Sequence, residues 1–304
     1  MDLRQLRYLV ALAEELNFTR AAAAEHVAQP ALSQQIRRLE DEVGIALVER
    51  TTRRVSLTEA GELLVVRARR ILSELETARE EMDALRGVDV GQVSIGAIHT
   101  MGPIDLSLAL ARFHQQHPNV ALTVREQQSE ESAEMLRVDE IDLAFLSVTE
   151  RIESHELALH QLISEDLMVL LPRDHRLAGR DEVRMDDLTH EEFISFRQGT
   201  RLRELLSVAG RDAHFEPRVT LQSNEAQRIR TLVARGLGVA ILPRSDALAP
   251  GVDVVVKPLA APALRRDITL AWRAGRRLPP AAAAFLALAR EMFTDAAATA
   301  DAAA

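Results

Sequence analysis

Residues 19–58 read TRAAAAEHVAQPALSQQIRRLEDEVGIALVERTTRRVSLT, and this stretch decides the fold of the N-terminal part. An alanine-rich helix is expected from Thr19, whose hydroxyl can accept from free first-turn amides, to near Val27. After a short break a second helix opens at Pro30, in the first turn, where a missing N–H costs nothing. Leu32, Ile36 and Leu39 recur at helical spacing as its buried face, and the helix stops by Gly44. Gln29, Ser33, Gln34 and Arg37 gather near one edge. Amides, a hydroxyl and a guanidinium on one helix suit the major groove, where base edges offer paired donors and acceptors. Two helices joined by a tight turn, the second one polar, form a helix-turn-helix. The run RTTRR at 50–54 breaks the apolar pattern, which resumes at Val55 and Leu57, as a two-stranded wing requires.

Outward from this unit, Leu3, Leu6, Leu9, Val10, Ala13 and Leu16 form one face of a first helix. On the other side, Leu64, Ala68, Ile71, Leu75, Ala78, Met82 and Leu85 recur at alternating spacings of four and three. That is an apolar heptad seam, and Thr58 with Glu59 and Glu62 caps its start. The other faces of the helix are strongly charged, so the seam reads as a dimer contact with a second copy; the alternative is a core helix of one subunit. Gly87 and Gly91 mark a hinge after it.

Composition bounds the rest. The 304 residues carry a net charge of -9, with 47% hydrophobic and 3% aromatic residues. The length fits two or three domains, with cores built from Leu, Ala, Val and Ile. No cysteine occurs, which excludes disulfides, cysteine-ligated zinc and thiol redox sensing. No secretory signal and no apolar run of membrane length are visible, so a soluble cytoplasmic protein is expected. Residues 1–58 hold eight arginines and eight acids, so the negative charge lies in the remainder. Local clustering of Arg50, Arg53 and Arg54 on the wing, not overall charge, makes a phosphate footprint.

From Gln92 the texture alternates between strand-like runs (93–98, 120–125, 141–147, 167–171, 193–195, 218–222, 239–242, 268–272) and helical ones (103–116, 130–138, 201–209, 225–235, 281–293). This indicates an α/β domain with a mainly parallel sheet, split by its size into two lobes with a cleft. The organisation expected is a winged helix-turn-helix domain at 1–58, a linker helix at 59–88 and a regulatory domain at 91–293, followed by a disordered low-complexity tail at 294–304. Lobe I spans about 91–161 and 267–293, and lobe II about 162–266. Thr100 ends a strand and opens the helix starting at Pro103, and Asn224 precedes the helix at Glu225. Free amides and the positive dipole end at both places favour an anion, although both residues could be caps and nothing more.

The segment FTRAAAAEHVAQPALSQQIRRLEDEVGIALVERTTRRVSLTEAG at 18–61 resembles the LysR-type transcriptional regulators. The likeness continues in GQVSIGAIHTMG at 91–102, IDLAFLS at 141–147, LPRDHRLAG at 171–179 and VARGLGVAILP at 233–243. The resemblance implies a winged helix-turn-helix, a long dimerising helix, a two-lobed regulatory domain similar to periplasmic solute-binding proteins, and a homotetramer as the commonest state on DNA. It places Gln29, Pro30, Ser33, Gln34 and Arg37 in the major groove and Arg53 in a narrow minor groove, with Arg50, Arg54 and Thr19 on phosphates. It also puts Thr100, Ser129 and Thr200 where the family touches its effector, with His99, Phe196 and Arg197 as weaker candidates. Many members carry Arg where this chain has Gln34, and Gln favours adenine where Arg favours guanine.

The function expected is a ligand-responsive regulator. It binds a dyad of double-stranded DNA as a homodimer or homotetramer, responds to a small organic anion, and contacts RNA polymerase if it activates. No cofactor, metal or membrane is implied. Two rivals are a transport-class solute-binding protein, against which the DNA-reading head argues, and an enzyme carrying a DNA-binding domain. Nothing catalytic supports the latter: no HExxH-like pair, GxSxG or GxGxxG occurs, and GLG at 236–238 stands alone. His114 and His117 have a metal-capable spacing but no acidic or His partner nearby in sequence, and read as a surface pair.

Overall fold

The computed structural model describes residues 1–50, 55–85, 90–148, 152 and 155–301, and for 84–85 and 294–301 the backbone only. The chain divides into two compact units. One is Met1–Asp89 with 137–140 and 278–280, and the other holds the remainder.

In the first unit, α1 (Leu3–Glu15) starts with a reciprocal cap: Asp2 accepts from Gln5 N and Gln5 from Asp2 N, each at 2.8 Å. Helix α2 (Phe18–Ala24) is capped by Asn17, whose Oδ1 accepts from Thr19 N and Arg20 N. Thr19 is therefore not the cap; the asparagine two residues earlier takes both amides, and the Thr19 side chain is left exposed. Helix α3 (Gln29–Val43) carries Pro30 in its first turn, and Leu32, Ile36 and Leu39 are buried against Leu9 and Leu12. Strands β1 (Val48–Arg50) and β2 (Val55–Leu57) pair antiparallel as the wing. Glu40 ties α3 to β1 by accepting from Leu47 N and Val48 N at 3.0 and 3.1 Å. Thr58 Oγ1 accepts from Gly61 N and donates to Ala46 O, opening α4 (Glu59–Leu85). A Cβ on Gly61 would stand 2.0 Å from the Leu47 carbonyl oxygen, so glycine lets this helix start directly against the wing.

The second unit begins with β3 (Gly91–Ala97), α5 (Leu106–Gln116), β4 (Val120–Glu126), α6 (Ser129–Arg137) and β5 (Leu143–Ser147). Strand β3 lies between β4 and β5, parallel to both. Then β6 (Leu157–Leu171) runs for fifteen residues. Strands β7 (Glu192–Ser195) and β8 (Arg218–Gln222) pair parallel around α7 (Arg201–Asp212). They are followed by α8 (Ala226–Ala234), β9 (Ala240–Pro243), α9 (Arg244–Ala247), β10 (Val255–Pro258), β11 (Arg265–Arg273) and α10 (Pro280–Asp301).

The sheet is mixed, not mainly parallel: β6 pairs antiparallel with β9, β10 and β11, and β11 pairs antiparallel with β5. The alternating texture misleads at this point because one long strand, β6, is shared by β9, β10 and β11, and all three run against it. Strand β6 serves two halves, pairing with β11 over 157–166 and with β9 and β10 over 167–171. Leu167, Val169, Phe193, Ile194, Val239 and Leu242 belong to one buried core, and Leu136, Ile141, Ala144, Leu146 and Ala271 to another. The cores are mainly aliphatic, with Phe193 and Phe196 in the first. Helix α10 extends to Asp301, into the stretch read as a tail, and its alanine run has the highest helix propensity of any composition.

Candidate functional site

On the head, Gln29, Pro30, Gln34 and Arg37 are exposed along α3, and Ser33 is half-buried beside them. Among the described residues no hydrogen bond or ion pair engages Gln34 or Arg37, so their donors are available to a partner. Arg50 differs: its Nη2 pairs with Glu40 Oε2 at 2.9 Å and its guanidinium lies 5.2 Å from the Phe18 ring centroid. Its charge braces the wing against α3. Arg53 and Arg54 lie outside the described residues. On α4 the seam is divided. Ala68 is buried and Leu64 packs on the head core, whereas Ile71 is 41% exposed, Met82 55%, and Ala78 is also exposed. Leu75 is half-buried, and the side chain of Leu85 is outside the described residues. Ile71 also lines an open groove with Leu3, Leu6 and Arg4 of α1.

In the second unit, the chain leaves the carboxyl end of β3 through α5 to β4 on one side and returns through α6 to β5 on the other. Such a switch point opens a crevice beyond the strand ends, the usual ligand position in open α/β sheets. A small crevice lies there. Its walls are His99 and Thr100 after β3, Gln127, Gln128 and Ser129 at the end of β4 and the start of α6, and Ser147 at the end of β5. Arg266 of β11 sits beside Thr100, and Phe196 and Thr200 after β7 and Asn224 after β8 complete the lining. Thr100, Ser129, Thr200 and Asn224, which the sequence could place only one by one, are thus brought together, with His99 and Phe196; Arg197 lines an adjoining crevice.

Their hydrogen bonds separate them. Ser129 is buried, and its Oγ accepts from Ser147 N at 3.0 Å. Thr100 Oγ1 accepts from Arg266 Nη1 at 2.8 Å. Each hydroxyl has a lone pair engaged and a proton to give. Thr100 does not open a helix, because α5 starts at Leu106, where Asp105 accepts from Leu108 N at 2.9 Å. Thr200 is the N-cap of α7: it accepts from Arg203 N at 3.3 Å and donates to Arg197 O at 2.9 Å, so its proton is spent. Asn224 does not cap α8, whose N-cap position is Glu225; its Oδ1 accepts from Arg197 N at 3.4 Å, which leaves its amide N–H groups.

Three cavity residues carried no local signal. Arg266 is buried and pairs with Glu165, 101 residues earlier in the chain. Ser147 closes the motif IDLAFLS, and its buried Oγ has no hydrogen-bond partner among the described residues. Gln127 Nε2 donates to Ser132 Oγ at 3.2 Å and to Met135 Sδ at 2.7 Å. Beside Arg266, burial raises the Asp246 carboxyl above the ordinary value, and Arg266 opposes that shift. Among the described residues no group of three or more His, Asp or Glu could hold a metal, and the His117 ring lies tilted against Phe113 at 4.6 Å between centroids.

A reading head with a free recognition helix and a second unit with a crevice at a sheet switch point define a ligand-responsive DNA-binding protein as the class. The profile described as "Bacterial regulatory helix-turn-helix protein, lysR family" matches residues 3–62, and "LysR substrate binding domain" matches residues 86–294. The chain belongs to the LysR family of transcription regulators, which are DNA-binding proteins and not enzymes. It is 35% identical over 289 residues to the DNA-binding transcriptional dual regulator OxyR of Escherichia coli, covering 91% of each chain. A full-length OxyR variant from Pseudomonas aeruginosa superposes with a TM-score of 0.75 at 31% identity, covering 96% of this chain and 94% of that one. Full-length CbnR complexed with its target DNA gives 0.63 at 25% identity, covering 96% and 99%. Among the described residues no helix is long and apolar enough to cross a membrane.

Proposed function

We propose that this regulator binds a dyad operator as a homodimer or homotetramer and responds to a small organic anion held in the cavity. The observation that carries the effector reading is the convergence of unspent donors: Thr100 and Ser129, with their hydroxyls, and Asn224, with its amide, line one crevice. A carboxylate only accepts hydrogen bonds, so it fits such a lining better than an ammonium does. Thr200 shapes the wall. The effector alters how the two halves around the cavity close, and it shifts the protein only if it binds the two states unequally.

On DNA, Gln29, Pro30, Ser33, Gln34 and Arg37 read the major groove and Arg53 a narrow minor groove, with Thr19, Arg50 and Arg54 near phosphates. The apolar surface at Ile71 and Met82 supports pairing of two copies through α4. Organised by domain, residues 1–58 read DNA, 59–88 pair the copies and 91–293 take the effector. The regulator acts in the cytoplasm, at the nucleoid, and meets RNA polymerase there if it activates.

Selection from random DNA with the full-length protein tests the DNA reading: two half-sites related by a dyad are expected, and enrichment of nothing overturns it. Calorimetry across a metabolite panel tests the effector reading, which fails if only cations or neutral sugars bind. Several relatives are named hydrogen peroxide-inducible genes activators, which raises a second reading. A thiol response needs a cysteine, and this chain has none, so the anion reading is preferred.

A further inference from the structure

We propose that Arg266 is a positioning residue that acts through Thr100 to make the cavity select ligands that accept hydrogen bonds. The inference rests on the reading that a small organic anion occupies this cavity. The Arg266 side chain is 1% exposed, and every nitrogen is committed. Nη1 donates to the Thr100 carbonyl at 3.0 Å and to Thr100 Oγ1 at 2.8 Å. Nε and Nη2 donate to Glu165 Oε1 at 2.9 and 2.7 Å. The other oxygen of Glu165 accepts from Ser245 N and Ser245 Oγ at 3.2 and 2.7 Å. The loop after Thr100 is pressed onto this pair: Gly102 has φ +60, and a Cβ there would lie 2.5 Å from Glu165 Oε1. Thr100 is therefore held by a fixed, buried fork.

The consequence for the ligand is electronic as well as geometric. A hydroxyl that accepts from a charged guanidinium has its oxygen occupied and its O–H bond polarised, so it gives a proton more readily than it takes one. Glu165 neutralises the guanidinium, so the ligand meets a polarised neutral donor and not a bare cation. Selectivity then belongs to the Thr100–Arg266–Glu165 chain, of which the wall shows only Thr100 and Arg266. Lysine at position 266 could not serve Thr100 and Glu165 together, because its ammonium lacks the planar fork.

The test uses the full-length protein and matched probes: acetate, propionate and benzoate against acetamide, propionamide and benzamide, titrated by calorimetry. The wild type should prefer each carboxylate to its amide. Arg266→Gln should lower that preference by roughly tenfold, the scale of a hydrogen bond to a charged group. Glu165→Gln, which leaves the guanidinium charge only the Asp246 carboxyl, 3.8 Å from Nη2, should raise it. Arg266→Lys should not restore the wild-type ratio. Thr100→Val should match Arg266→Gln, and the double variant should add nothing to either.

A merely structural role for the pair would move Arg266→Gln and Glu165→Gln in the same direction. That result, or an unchanged ratio with carboxylates still bound, overturns the proposal and leaves the anion reading standing. If the wild type binds neither probe set, the anion reading itself fails and takes the proposal with it. Should Arg266→Gln not fold, the opposite shifts of Thr100→Val and Glu165→Gln decide the matter.

Discussion

The two halves that meet at the cavity share one topology and use their polar groups differently. In the first, β3 is flanked by β4 and β5; in the second, β7 pairs with β8 on one side and bridges to Val239, just before β9, on the other. Both strand-and-helix units therefore open a crevice at equivalent strand ends. In the first half the hydroxyls are held by groups remote in sequence: Ser129 by Ser147 N, and Thr100 by Arg266. In the second half they serve their own helix starts: Thr200 caps α7, and Ser223 Oγ accepts from Glu225 N at 3.1 Å. The difference teaches that topology supplies the crevice, whereas the choice of hydrogen-bond partner decides which of its hydroxyls keep a proton to donate.

The comparison can be broken most sharply at the ion pair. Glu165→Ala strands a buried guanidinium and is expected to lower the unfolding free energy of the regulatory unit by about 3–5 kcal/mol in urea denaturation. A loss near zero would mean that Thr100 and Asp246, 3.8 Å from Nη2, suffice to hold Arg266. Next in size, Ser129→Ala removes a donor from the ligand and the acceptor of the buried Ser147 amide. It should weaken carboxylate binding by roughly tenfold or more and cost about 1–3 kcal/mol of stability. Wild-type affinity in this variant would contradict the assignment of the donating hydroxyls to the first half.

Thr200→Ala should show the reverse profile. Loss of a helix cap lowers stability by about 1 kcal/mol, while carboxylate affinity moves by less than about threefold. A large loss of affinity with intact stability would make the two halves alike. The smallest effect is expected at Asp246, whose carboxyl is raised mainly by burial. Because the folded protein holds this proton to higher pH than the unfolded chain does, the contribution of Asp246 to stability falls as pH rises from the ordinary carboxyl value of 3.8 through its raised folded value. Asp246→Asn should flatten that part of a stability-against-pH curve, and an unchanged slope would assign it to another group.

Much of this molecule was legible before any coordinates. The head was readable because its signals are local: a proline in a first turn, three aliphatics at helical spacing, and a break in pattern at the wing. The heptad seam was equally plain as a period. Its division was not, since Leu64 faces the head core whereas Ile71 and Met82 remain exposed, and only packing distinguishes those positions. Helix caps were placed within a few residues, yet Asn17 took the role expected of Thr19 and Asp105 the one expected of Thr100. A cap depends on backbone angles that residue type only biases.

By itself the sequence determined what kinds of elements form, where the DNA-reading helix lies, and that no thiol can take part, because periodicity, capping residues and composition act over a few positions. Tertiary structure alone decided that the long strands run antiparallel, that Thr100 is held by an arginine 166 residues away, and that Ser147 ends beside Ser129. These are contacts between segments distant along the chain. Their partners are chosen by burial and by the demand that every interior donor find an acceptor, and no local pattern records which distant residue will meet that demand.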